Sequence, residues 1–182
     1  GRRIFNDADG TYIDHTGPEP RVRQLPLDDD GQPTRNMIDM DGLWLTQWNL
    51  NQLWLLAYPD IGNQVAETCL QYYRNAGMSA RGPWGGNYSF VMIGDPTVHL
   101  LSALVCHGKN SFDAELAYEA ARKNAFPGGL RDRAGYDASE DPISGGMEHY
   151  VELGYVPEDI GGTGLHRDGA AMTLEYSYQD WC

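Results

Sequence analysis

Two segments of this chain are too apolar to lie on a protein surface. Gly42–Tyr58, GLWLTQWNLNQLWLLAY, is apolar around most of a helical circumference, and Thr97–Gly108, TVHLLSALVCHG, nearly so. A helix of that kind needs neighbours on all sides. Each is followed by a helix with a single apolar face. Asp60–Ala76 carries Ile61, Val65, Cys69 and Tyr73 at i, i+4, i+8 and i+12, with Gln64, Glu67, Gln71 and Arg74 facing away. Phe112–Asn124 sets small Ala117, Ala120 and Ala121 against Glu119, Arg122 and Lys123. The order inner, outer, inner, outer predicts an all-α chain, built as a bundle or as a two-layer toroid with a central hollow. No Val/Ile/Thr-rich alternating run offers a sheet. Inner helices start about 50 to 70 residues apart, too far for a TPR or HEAT repeat.

Punctuation supports these boundaries. Pro59 ends the first helix, Gly77 stops the second, and Asp95-Pro96 supplies an N-cap and a first helical residue for the third. Asp113 and Glu115 sit in the first turn of the fourth, where they suit the helix dipole. A short helix is expected over Gly146–Leu153, then an irregular stretch over Gly154–Gly164, then a last helix from Asp168. Residues 1–38, rich in Gly, Pro and Asp, read as an irregular opening segment with a short strand around Tyr12–Ile13; residues 39–182 read as the helical domain. In the last helix Ala171, Leu174, Tyr178 and Trp181 fall on one face, the expected buried face. The sequence stops there without a cap, a basic last turn or a proline. We therefore expect a barrel domain truncated at its C-terminus.

The chain has 182 residues with 26 acidic and 13 basic side chains, a net charge of −13, which disfavours a nucleic-acid partner. No apolar run reaches the length of a membrane span, and the start has no signal-peptide core. Cys69, Cys106 and Cys182 have no metal spacing. Cys69 and Cys106 are expected to be buried thiols, and Cys182 to find a partner outside this sequence. The histidines show no metal-binding pair, and no metal ligand set is identified.

Several residues invite a chemical reading. In SARGPWGGNYSFVMIGDP, residues 79–96, Trp84 could stack on a sugar ring while Arg81 and Asn87 bond hydroxyls; the alternative is a structural aromatic loop. Asp95 reads as a cap or as a substrate contact. Thr46, Gln47, Asn49, Asn51 and Gln52 interrupt the first apolar helix, and buried amides need partners. They bond backbone and neighbouring helices or else point into a wet cavity and bind hydroxyls. Glu175 and Asp180 are a carboxylate pair of the kind glycoside hydrolysis uses, but five helical positions put them about 140° apart. NDADG, Asn6–Gly10, resembles half of a calcium loop, and a turn on Asp9-Gly10 is the simpler reading.

Taken in order, five stretches resemble glycoside hydrolase family 92, the exo-acting α-mannosidases. DADGTYIDHTG is similar to that family's Asp-x-Asp-Gly-x-Tyr segment. GLWLTQWNLNQLWLLAYPD is similar to its first barrel helix. GPWGGNYSFVMIGDPTVHLLSALVCHGKNSFD resembles its Trp loop, its Gly-Asp segment and its Lys-Gly-x-x-x-Phe-Asp stretch. YVELGYVP and TLEYSYQDWC resemble its Tyr-x-x-x-Gly-Tyr-Val-Pro and Leu-Glu-Tyr-x-Tyr-x-Asp-Trp motifs. The resemblance implies part of an (α/α)6 barrel and calcium-assisted, inverting hydrolysis of terminal α-mannose. It implies an α-mannosyl glycan as partner, a secreted or periplasmic setting, and a sugar rim containing Trp44, Arg81, Trp84 and Asp95.

The departures from the family pattern are specific. Its Asn-Glu-Pro-Ser-His stretch, which serves calcium, is absent, and so is the Gly-Asn-Asp-Asp-x-Gly-Gln stretch that carries the base. Its acid follows the Asp-Trp motif. The Trp-Asp pair of the first barrel helix reads Trp44-Leu45, and Arg81 stands three residues before the loop Trp84. The chain alone is thus expected to lack acid, base and calcium and to be inactive, with Glu175 and Asp180 as the fallback pair. Self-association or a complementary chain would complete the barrel. The rival reading is a non-catalytic helical module binding carbohydrate or protein.

Overall fold

The computed structural model describes residues 3–40, 42–134, 143–158 and 168–182. Residues 159–164 of the expected irregular stretch lie outside the described residues.

The opening segment contains β1 (Arg3–Ile4), β2 (Thr11–Asp14), β3 (Arg21–Gln24) and β4 (Ile38–Asp39), paired antiparallel as β1 with β4 and β2 with β3. The strand expected around Tyr12–Ile13 is present. Its partner β3 escapes sequence reading because it is mostly exposed and shows no alternation. Tyr12 turns inward with Leu25 and Met37 onto Tyr72 and Ala80, seating the segment on the helical layer.

The apolar segment after Gly42 forms two helices, α1 (Leu43–Thr46) and α2 (Leu50–Ala57). The single helix expected there is broken at Gln47–Asn49, where Asn49 adopts φ −157°, outside helical values. Nor is the segment buried all round. Leu43 and Trp54 join the core, whereas Leu45, Trp48 and Leu56 are exposed, because its described neighbours cover one side. The amphipathic α3 (Pro59–Ala76) follows and ends on Gly77, whose φ of +77° and N–H bond to the Tyr73 carbonyl make a left-handed cap. A hairpin of β5 (Pro83–Trp84) and β6 (Asn87–Tyr88) leads to α4 (Pro96–Cys106), then α5 (Ala114–Asn124). Asp95 caps α4 through its carboxylate, as the sequence predicts, whereas Asp113, expected inside the first turn of a helix from Phe112, is instead the N-cap of α5.

Val65, Ala66, Cys69 and Leu70 of α3 meet Leu100, Leu101 and Leu104 of α4, with Ala117 and Ala120 of α5 closing the main core. After a 3-10 turn at Leu130–Asp132 come β7 (Arg133–Ala134) paired with β8 (Ile143–Ser144), α6 (Met147–Leu153) and α7 (Gly169–Trp181). Met147, Val156, Met172 and Tyr176 form a second helical core there.

The buried face of α7 is not the expected one. Gly169, Met172, Tyr176 and Gln179 face inward. Leu174 is 72% exposed and Trp181 81% exposed. Both sets have the same i, i+3, i+7, i+10 spacing. The choice between them is made by Gln179 and the Tyr176 hydroxyl, which satisfy buried backbone groups, so polarity did not mark the outer face. Cys69 is buried as expected, but Cys106 is exposed, lying on the open side of α4.

Truncation separates the two faces. Met172→Ala should cost about 2–4 kcal/mol in urea unfolding, and Leu174→Ala no more than about 0.5 kcal/mol. The reverse order would return the buried face to Leu174.

Candidate functional site

The loop after β6 is held from behind by Arg81, only 2% exposed. Its Nε donates to the Gly94 carbonyl at 2.8 Å, one terminal nitrogen to Phe90 and Met92 at 3.0 Å each, and the other to Leu130 at 2.8 Å. Burial pulls this guanidinium down to about 10. Within the loop Met92 sits at φ +72°, a conformation costly for a side-chain-bearing residue. The Arg81 bonds on either side of it hold it there.

From this loop a polar chain runs to α7. The Asp95 N–H donates to Gln179 Oε1 at 2.8 Å, Gln179 Nε2 donates to Glu175 Oε1 at 2.7 Å, and Trp44 Nε1 donates to the same oxygen at 3.2 Å. The buried Asp95 carboxylate accepts from Thr97 N–H at 3.2 Å and Asn124 Nδ2 at 2.8 Å. Burial raises the carboxyls of Asp95 and Glu175 above the usual range. Gly94 has φ +73° and lies so close to the Gln179 amide that a Cβ there would collide with it.

The structure therefore brings Trp44, Arg81 and Asp95 into one frame with Glu175. Sequence reading missed Gln179 and Asn124, the amides that join them. The one available signal for Gln179 was its place one helical turn after Glu175. Trp84 stands apart on the β5–β6 hairpin, 57% exposed. The hairpin is held by Gly85 N–H on Asp39 Oδ1 at 2.6 Å and by His15 N–H on the Gly86 carbonyl at 2.9 Å. Asn87 bonds the adjacent Tyr88 N–H at 2.8 Å. Glu175 and Asp180 do not converge. Glu175 faces Trp44 and Gln179, whereas Asp180 accepts from Arg131 and from the Tyr150 hydroxyl at 2.9 Å.

NDADG is a turn. Asp9 Oδ1 accepts from the Thr11 N–H at 2.9 Å and hydroxyl at 2.7 Å, and Gly10 has φ +83°. Among the described residues no group of three or more His, Cys, Asp or Glu side chains comes together to hold a metal ion. His99 is 5% exposed, with Nδ1 3.1 Å from Cys182 Sγ. Burial and the charge of Arg131 lower it from 6.5 to about 4.

Residues 2–182 match the catalytic domain of glycosyl hydrolase family 92. The chain belongs to that family. It is similar to the solved GH92 alpha-mannosidase BT3965 from Bacteroides thetaiotaomicron in complex with mannoimidazole, at 24% identity and TM-score 0.70, over 98% of this chain and 20% of that one. The ligand-free structure of the same enzyme gives 24% identity and TM-score 0.71, over 98% of this chain and 21% of that one. The GH92 inverting mannosidase BT2199 from the same organism gives 26% and 0.67, over 99% and 22%. This chain thus spans about a fifth of the length of these solved relatives. No curated protein sequence matches it. The shared fold places its helices in the (α/α)6 barrel expected from the family resemblance.

Two results follow from the frame. Gln179→Leu strands the Asp95 N–H and leaves Glu175 Oε1 with the Trp44 bond but without the Gln179 one, and should lower stability by about 2–4 kcal/mol in urea titration. His99 binds a proton in the unfolded chain below 6.5 but in the folded chain only below about 4. Its contribution to stability is complete above the higher value and is lost as pH falls between the two. Urea midpoints should therefore fall less steeply over that window in His99→Gln than in the parent.

Proposed function

We propose that these residues supply part of the substrate rim of an exo-acting α-mannosidase, which removes terminal α-linked mannose with inversion. The observation that carries this reading is the family match over residues 2–182. The mannoimidazole bound to one structural relative supports a mannose-like ligand.

Within the rim, Trp84 has the free ring face needed to stack on a sugar. Trp44 is half-buried with its N–H committed to Glu175. Arg81 and Asp95 shape the rim from behind, since their polar atoms are bonded within the fold. Inverting hydrolysis requires an acid and a base on opposite sides of the glycosidic bond. Glu175 and Asp180 have separate partners and serve the fold. The acid, the base and the ligands for calcium then come from outside these 182 residues. The exposed Leu45, Trp48, Leu56 and Leu174 give a complementary part of the barrel, or a second copy, apolar surface to cover. Among the described residues no helix is long and apolar enough to cross a membrane. A glycan substrate suits action outside the cytoplasm.

A non-catalytic sugar-binding module is the second reading, favoured by the way Arg81, Asp95 and Glu175 are tied into internal bonds. Mannose release from an α-linked mannobiose, with calcium and again with chelator, tests the division of labour. The 182-residue chain should release none, and a longer protein containing it should release mannose. Release by the chain alone would return catalysis to Glu175 and Asp180, and silence of the longer protein would favour the binding module.

A further inference from the structure

Asn87 stands on the rim hairpin, and the rim reading gives it no task. Asn87-Tyr88-Ser89 is the one Asn-x-Ser/Thr triplet in the sequence, and its central residue is not proline. That triplet is the acceptor pattern for an N-linked glycan and requires an exposed segment. A triplet alone recurs by chance; this one sits at the tip of a tight hairpin, opposite an exposed tryptophan.

Asn87 opens β6 and pairs with Trp84 of β5 across a two-residue turn. The turn residues Gly85 and Gly86 have φ +53° and +82°, positive at both positions, as a tight hairpin turn requires. A Cβ on Gly86 would collide with the Ile13 carbonyl oxygen, which fixes the tip against β2. Directly paired residues place their side chains on one face, with Cβ atoms about 4.5–5.5 Å apart. Trp84 and Asn87 therefore share the outer face of the hairpin, and both are exposed. Tyr88 turns the other way, against Tyr72, with its hydroxyl donating to the Met78 carbonyl. Asn87 Oδ1 accepts from the Tyr88 N–H at 2.8 Å. Asn87 Nδ2 and the Ser89 hydroxyl have no hydrogen-bond partner among the described residues. The atom that a glycan would join is thus exposed and uncommitted, with an aromatic ring beside it.

We propose that Asn87 is an acceptor for an N-linked glycan, whose first N-acetylglucosamine packs on the Trp84 ring. The co-substrate is a lipid-linked oligosaccharyl diphosphate, met in a secretory path that carries an oligosaccharyltransferase. Asn87 Nδ2 forms a bond to the anomeric carbon, and the bond from that carbon to the diphosphate oxygen breaks. The amide gives one proton to the transferase, and the lipid diphosphate leaves. The attached sugar then covers the ring face that the rim reading gives to a substrate. That consequence rests on the rim reading; the acceptor does not.

The test is secretion of the full-length protein from a eukaryotic host, followed by peptide mapping. The tryptic peptide Gly82–Lys109 contains no other asparagine, so peptide:N-glycosidase leaves Asp at position 87 only where a glycan was attached. Most copies of the parent should be occupied, and none of Ser89→Ala, which keeps the asparagine. With the glycan trimmed to its first sugar, amides of Gly85–Tyr88 should exchange at least about threefold more slowly than in Asn87→Gln. That slowing should vanish in Trp84→Ala carrying the same sugar. An unmodified Asn87 in the secreted parent would overturn the proposal. Equal slowing in Trp84→Ala would overturn the packing on the ring. Both readouts are independent of mannose release, so failure of the acceptor and failure of the mannosidase reading are told apart.

Discussion

Four carbonyl oxygens, those of Phe90, Met92, Gly94 and Leu130, accept from the one guanidinium of Arg81. The rest of the candidate site depends on that bond set. It holds Met92 in a left-handed conformation and brings Gly94 against Gln179. Gln179 then carries the constraint across to Glu175 and Trp44, on elements far apart in sequence. A planar, five-donor group suits this role because it can satisfy several carbonyls at once without a counter-ion beside it. A buried Arg in the place expected of a sugar contact is therefore a structural device that fixes residues 90–94 against α7.

Helix positions were the most legible part of the sequence. Pro59, Gly77 and Asp95 act locally, through backbone geometry and caps, and the structure uses them where the sequence places them. Burial was less legible because it depends on what lies opposite. The faces of α7 have equal spacing, and the inward one contains a glutamine and a tyrosine hydroxyl while leucine and tryptophan face out. Hydrophobic periodicity ranks residues by type and cannot weigh Gln179 as the amide that serves Asp95 N–H and Glu175 together. The break at Gln47–Asn49 was hidden for the same reason: the amides there read as interruptions of a helix, and the structure makes them a turn.

The candidate site divides in a way the sequence alone did not show. Trp84 is free to meet a ligand; Arg81 and Asp95 are occupied within the fold. Glu175 and Asp180, separated around the helix as their spacing required, are each bound to different neighbours. Family membership gives the barrel, and on the proposed mannosidase reading these side chains contribute a shaped loop, an exposed ring and a rigid polar support.

Native-state hydrogen exchange of Arg81→Lys tests that support most directly. Lysine keeps the charge but not the planar fork, so amides of residues 90–95 should lose at least about tenfold in protection while those of α3 keep theirs. Unchanged protection across residues 90–95, or an equal loss throughout α3, would contradict the claim that one guanidinium fixes the loop on which the site is built.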